Sequence, residues 1–140
     1  DDAQADELNN QEIQRLESRL DAVQVMTLHK SKGLTSRAVI VAGCIEGLCP
    51  VRNTKLTPHE QQQLLEEQRR LFYVAMTRCR EILTLSSVTQ LEKRTAYKIG
   101  AIITGRGAIG TTITSRFIND LGPTRPTPVA GAIWAANGFE

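Results

Sequence analysis

The sequence predicts an α/β domain with a short, mostly parallel sheet and flanking helices, and three observations predict it. Residues 23–28 and 38–44 are short apolar runs rich in β-branched residues, each ending in polar or glycine-rich turns. Their continuous apolar character implies strands covered on both faces, as in parallel sheets. A third strand, residues 82–88 with alternating Thr and Ser, follows a long amphipathic helix. Strand–strand–helix–strand order argues for a helix layer on a sheet rather than a bundle or a sandwich.

Taken in order, residues 1–8 are polar and acidic. Asn9 with Glu12 three residues on forms a capping-box pattern, and Ile13, Leu16, Leu20 and Val23 then recur at helical spacing. Residues 1–21 are thus an acidic N-terminal segment carrying a short amphipathic helix. Gly43, Gly47 and Pro50 break the chain after the second strand, and residues 51–57 form a loop. Thr57-Pro58-His59-Glu60 is a strong helix start, with Thr as cap, Pro at the first helical position and Glu completing the box. Leu64, Leu65, Gln68, Leu71, Phe72, Ala75 and Met76 form one stripe of that helix, which should run to about residue 78. Beyond Val88, Gly100, Gly105, Gly107 and Gly110 punctuate a stretch expected to be extended segments and turns. Ser115 caps a short helical turn around 117–121, and Pro123, Pro126 and Pro128 open a tail over 123–140.

Composition narrows the function classes. The 140 residues are 41% hydrophobic and 23% charged, as in an ordinary globular domain with one core. Only 4% are aromatic, so that core must be largely aliphatic. No apolar stretch approaches the ~20 residues of a membrane span, and a cytoplasmic setting without membrane partners is expected. The chain begins at Asp1 rather than Met and reads as a piece of something longer. Net charge is +2, but residues 1–21 hold seven acids against Arg15 and Arg19, whereas residues 22–98 hold twelve Lys/Arg against six acids. A basic middle segment suits phosphate binding, although a solvated mixed surface is commoner. Cys44, Cys49 and Cys79 have neither zinc nor disulfide spacing and are read as small buried hydrophobes in a reducing cytosol, with no metal site.

Two runs carry the chemistry. Val25-Met-Thr-Leu-His-Lys-Ser-Lys-Gly-Leu34 places a hydroxyl, an imidazole and two ammonium groups at the end of an apolar run. Gly33 lets the backbone approach a ligand, and Lys30 or Lys32 can meet a phosphate. Alone, such a turn is a weak signal. Glu66-Glu-Gln-Arg-Arg-Leu-Phe-Tyr-Val-Ala-Met-Thr-Arg78 is more demanding: Arg70, Tyr73, Thr77 and Arg78 fall near one helix face, away from Leu71 and Ala75. An arginine at a helix C-terminus is also favoured by the helix dipole, so simple capping competes with function.

Both runs, in this order, resemble motifs V and VI of superfamily 1 DNA helicases of the UvrD/Rep/PcrA type. Glu46-Gly-Leu-Cys-Pro50 resembles the Glu-Gly-x-x-Pro turn between them, and Ser115-Arg-Phe-Ile118 a downstream Ser-Arg-Phe segment; the likeness covers roughly residues 22–122. It implies the second, C-terminal RecA-like (P-loop NTPase-like) motor domain (2A), incomplete at its N-terminal side. Such a domain works with an N-terminal motor domain to couple ATP hydrolysis, with Mg²⁺, to 3′→5′ movement on single-stranded DNA. Carried over, the resemblance makes Arg78 the catalytic arginine finger, an element worth ~10³–10⁵ in rate in other phosphoryl-transfer enzymes. It assigns Lys32, Gly33, Thr35 and Arg70 to the nucleotide, and Thr27, His29 and Lys30 to DNA. Many relatives carry Glu where this chain has Thr35, so a carboxylate contact to the ribose is lost.

The chain supplies no Walker A loop. The nearest approach, Gly105-Arg-Gly-Ala-Ile-Gly-Thr-Thr112, has Thr111 in place of the lysine, and Asp6-Glu7 follows no apolar strand. The chain alone is therefore expected to bind no nucleotide cofactor and to hydrolyse no ATP. The formal Gly105-x-Gly-x-x-Gly110 fingerprint lacks the helix and distant acid of a dinucleotide fold and is read as a glycine-rich loop. A non-catalytic DNA- or protein-binding module derived from such a domain is the alternative function. A cut domain also leaves a sheet edge or apolar face open, a route to a homodimer of the fragment.

Overall fold

The computed structural model describes residues 23–137. The helix expected from Asn9 lies outside them. Strand β1 (Ser36–Val41) runs parallel to β2 (Cys79–Leu85), and helix α1 (Pro58–Met76) makes the crossover that parallel pairing requires. The second half of the chain adds β3 (Gln90–Glu92), α2 (Lys93–Ile99), β4 (Ile103–Thr104) and β5 (Ile109–Thr112). It then adds α3 (Arg116–Asn119), a 3-10 turn (Gly122–Thr124) and α4 (Gly131–Asn137). Strands β3, β5 and β4 form a separate antiparallel sheet in that order.

Helix α1 starts where its cap residues dictate. Thr57 Oγ1 accepts from Glu60 N at 3.4 Å, while Glu60 Oε2 accepts from Thr57 N at 2.8 Å, so two otherwise orphaned donors are satisfied reciprocally. The helix buries Phe72 and Ala75 against Val41, Cys44, Cys49 and Phe117, with Leu65, Met76, Val39 and Leu85 partly buried around them. Phe72 and Phe117 approach to 5.4 Å between ring centroids. Full burial of such a ring contributes about 1.5–3 kcal/mol. The short α3 is capped as its sequence implies, with Ser115 Oγ accepting from Phe117 N at 3.2 Å.

Three expectations are corrected. Residues 23–28 form no strand; Val23 and Val25 are 92% and 95% exposed, and among the described residues no strand lies beside them. β-branched composition alone does not make a strand without a neighbour to pair with. Strands β1 and β2 are covered on one face rather than two: Val39, Val41 and Leu85 meet the core, whereas Ile40, one residue out of phase, is 57% exposed. The tail is not irregular throughout, because residues 131–137 form α4.

The second sheet is stitched to the first through the Glu46 turn. Glu46 N donates to Ile113 O at 2.8 Å, and Ile102 N donates to Glu46 O at 2.9 Å. Gly47, at φ +93, sits so close to the Gly100 backbone that a Cβ would collide with its carbonyl oxygen. Only glycine fits there, for reasons of both conformation and space. The Gly105/Gly107/Gly110 stretch is the β4–β5 hairpin, so the dinucleotide fingerprint has no helix after it.

Candidate functional site

The basic turn is built from its own short-range bonds. Thr27 O accepts from Ser31 N at 3.2 Å, Thr27 Oγ1 from Lys30 N at 3.3 Å, and Leu28 O from Ser31 Oγ at 2.6 Å. Lys32 N then donates to His29 O at 3.3 Å and Leu34 N to Ser31 O at 3.1 Å, with Gly33 at φ +87 permitting the final reversal. Leu28 packs on the core and pins the turn, which leaves His29, Lys30 and Lys32 exposed to solvent.

This turn leads into β1, whose start meets the residues that follow α1. Ser36 N donates to Arg78 O at 2.9 Å, and Arg80 Nη2 donates to Thr35 Oγ1 at 3.1 Å. The parallel register, with Ser36 opposite Cys79, fixes this meeting. Arg78 is half-buried and folds back over its own helix end, donating from Nε to Val74 O at 3.2 Å and from Nη2 to Thr77 Oγ1 at 3.3 Å. It therefore satisfies a terminal carbonyl, as the capping alternative anticipates. Flanking the seam, Arg37 and Glu81 pair through two bonds of 2.9 and 3.0 Å, and Arg37 holds the Glu81 carboxyl below the usual range. Both partners are well exposed, so the pair adds little stability.

The site residues expected from sequence separate into two groups. Thr35 and Arg78 each lie one residue before the paired Ser36 and Cys79, and Lys32 and Gly33 precede Thr35 in the turn. Thr27, His29 and Lys30 lie on the turn's earlier half. Arg70 does not join them: it lies on α1 six residues before the helix ends at Met76, about 9 Å along the axis, exposed and without a partner among the described residues. Its neighbour Arg69 is committed to the fold, pairing with Asp120 at 3.1 Å and lying 5.7 Å from the centroid of the Phe117 ring. Sequence reasoning missed Arg80 as a partner of Thr35. Its signal was the parallel pairing itself, which sets the residue before β1 beside the start of β2.

The Glu-Gly-x-x-Pro and Ser-Arg-Phe segments meet as a second polar cluster. Glu46, 7% exposed, accepts from the Arg116 backbone N at 2.7 Å and from its Nη2 at 2.8 Å. Burial works to raise the Glu46 pKa, but the Arg116 bonds and charge, with Arg52 nearby, outweigh it and hold the carboxyl low. Burial pushes the Cys44 thiol up to about 11 and Cys49 up to about 12, which makes both inert. An open cleft of about 540 Å³ runs between the Glu46 turn and the start of α1. It contains none of the site residues expected from sequence. Among the described residues no three His, Cys, Asp or Glu side chains gather as a metal site, and no helix is long and apolar enough to cross a membrane.

A small α/β unit with a parallel strand pair, a basic glycine-closed turn and an arginine-ended helix joined at one seam defines a recognisable class. The chain belongs to the UvrD-like helicase C-terminal domain family, whose sequence model matches residues 3–90. It is 38% identical over 106 residues to the ATP-dependent DNA helicase Rep of Buchnera aphidicola subsp. Acyrthosiphon pisum, covering 76% of this chain and 14% of that protein. It is 43% identical over 77 residues to DNA helicase II of Escherichia coli, covering 55% of this chain and 10% of that one. The Rep helicase of Salmonella typhimurium is 41% identical over 70 residues. The chain thus spans a small fraction, 10–14%, of the length of these relatives.

Proposed function

We propose that this chain is the greater part of the second, RecA-like motor domain of an ATP-dependent DNA helicase, with residues 22–122 as the motor unit and 123–140 as its tail. Arg78 serves as the finger that offsets charge on the transferring phosphoryl group. Lys32, Gly33 and Thr35 line the nucleotide side of the seam, with Arg70 on α1. Thr27, His29 and Lys30 face single-stranded DNA on a 3′→5′ track. The observation that carries this reading is that the residues just after the basic turn are bonded to those just after α1, through Ser36 to Arg78 and Thr35 to Arg80. A shift of either element moves the other, which is what coupling nucleotide state to DNA contact requires.

The residues at the seam suit the outer phosphate of ATP and nothing more. They offer cations and a glycine turn, but no phosphate cradle and, among the described residues, no acidic cluster for Mg²⁺. When bound, Mg²⁺ would supply neutralisation of phosphate charge, held by an N-terminal motor domain that also brings the P-loop. Three free thiols, two of them buried, accord with a reducing cytosol.

The test is Arg78→Ala in the parent helicase. Loss of the guanidinium should lower DNA-stimulated ATP turnover by ~10³ or more, with DNA affinity little changed. Melting temperature should fall by no more than the loss of one helix cap implies, about 1 kcal/mol. A large melting shift with unchanged turnover would make Arg78 a cap and defeat the assignment.

A further inference from the structure

The second half of the chain carries a charged and aromatic face that the seam does not use. Residues 86–119 contain Lys93, Arg94, Lys98, Arg106 and Arg116 against Glu92 as the sole acid. Arg116 is taken by Glu46; the other four cations have no ion pair among the described residues. On α2, Ala96 is fully buried and points the helix's opposite arc outward. Helical geometry places Arg94, Tyr97 and Lys98, at spacings of three and four, on that outward arc. Tyr97 is 91% exposed, in a chain with only two tyrosines. Lys93 N donates to Ala108 O at 2.9 Å, which holds the start of α2 beside the hairpin turn that carries the exposed Arg106. The face lies beyond residue 90, where the family match ends.

We propose that this face is a second single-stranded nucleic-acid contact, separate from the basic turn, in which one base stacks on Tyr97 and the flanking phosphates meet Arg94, Lys98 and Arg106. An aromatic ring standing in water among unpaired cations is the arrangement that holds single strands without sequence preference: every base has a π-face, and the backbone charge is continuous. Within residues 86–119 the one acid is Glu92, whose carboxylate accepts a bond from Thr95, so this stretch carries a net positive charge. The site extends the single-strand path beyond the few phosphates the basic turn can reach.

Fluorescence anisotropy of a labelled oligothymidylate, over a salt series, tests it on this chain. Tyr97→Ala should weaken binding about five-fold or more, the low end of what one stacked base contributes, whereas Tyr97→Phe should stay within about two-fold. Arg94→Gln with Lys98→Gln should make the slope of log affinity against log salt shallower by about 1.4, since each phosphate neutralised on a single strand accounts for about 0.7. These side chains are exposed, so melting temperatures should not move. Lys30→Gln with Lys32→Gln reports on the basic turn alone and should leave the Tyr97→Ala effect intact, which separates failure of one site from failure of the other. The proposal is overturned if the native chain does not bind the oligonucleotide at about 50 mM salt, where phosphate contacts are strong. It is also overturned if the Tyr97 and charge variants bind as the native chain does. Equal binding of poly-glutamate, with the same sensitivity to Tyr97→Ala, would reassign the face to an acidic protein partner.

Discussion

Replacing Glu46 probes the joint between the two sheets. Its side chain is 10% exposed and accepts from Arg116 at the backbone N (2.7 Å), Nη2 (2.8 Å) and Nε (3.2 Å). Glu46→Gln keeps the shape and one acceptor oxygen but removes the charge. A hydrogen bond to a charged group contributes about 1.5–3 kcal/mol and a neutral one about 0.5–1.5. The Arg116 side chain is 52% exposed, so solvent screens its half of the pair. The low end of the difference therefore applies, and Glu46→Gln should cost about 1 kcal/mol. Glu46→Ala also strands the Arg116 N–H, and should cost about 2–3 kcal/mol. Urea unfolding followed by circular dichroism measures both; in a domain this size each kcal/mol moves the melting temperature by about 3–5 °C. A double-mutant cycle with Arg116→Gln should return a coupling of about 1 kcal/mol. The sign with pH is fixed by the depressed carboxyl. The stabilisation is fully present above the unfolded pKa and is lost as pH falls through the lower folded value. Native and Glu46→Gln stabilities should therefore converge in strong acid. A Glu46→Ala variant within about 0.5 kcal/mol of native, the range of ordinary surface changes, would refute this account of the joint.

Thr57→Ala removes the acceptor for Glu60 N and the hydroxyl bonded to Glu60 Oε2 at 2.7 Å, and should cost about 1 kcal/mol in the same melts. Thiol labelling at pH 8 should modify Cys79, which is partly exposed, well before Cys44 and Cys49, and all three rapidly in denaturant. Rapid modification of three thiols in the native chain would contradict the buried positions of Cys44 and Cys49.

The elements legible in the sequence are those whose instructions are local. Thr57, Pro58 and Glu60 announce α1 within four residues, and Ser115 announces α3 within two. Both helices start where those residues put them. Strands β1 and β2 were legible to within three residues, because apolar runs mark a strand better than they mark its ends. Helix α2 was not read, although Gly100 at φ +80 closes it in the manner of a terminal glycine. Its seven residues include Thr and Tyr, which favour helix weakly, and its existence depends on Ala96 finding a buried place. The converse error at 23–28 has the same root, since a strand depends on a neighbour that no local pattern specifies. At the proposed site, Lys32, Gly33, Thr35 and Arg78 are named from motif likeness alone. That Arg69 serves Asp120 and Phe117 while Arg70 faces water could not be read from the sequence, because it depends on where α3 comes to rest.

The parallel pairing of β1 with β2 has a kinetic consequence. The 37 residues at positions 42–78 separate the two strands, so their mutual hydrogen bonds cannot form until that whole loop has closed. The β4–β5 hairpin, by contrast, closes over four residues and can open and reform by itself. Amides at the β1–β2 seam should accordingly exchange with solvent only through cooperative unfolding, while those of the hairpin exchange through local fraying. Thr35, Arg78 and Arg80 sit on the slow side of that divide. Their backbones are brought together only when that long loop is closed, so the seam exists only in the folded unit.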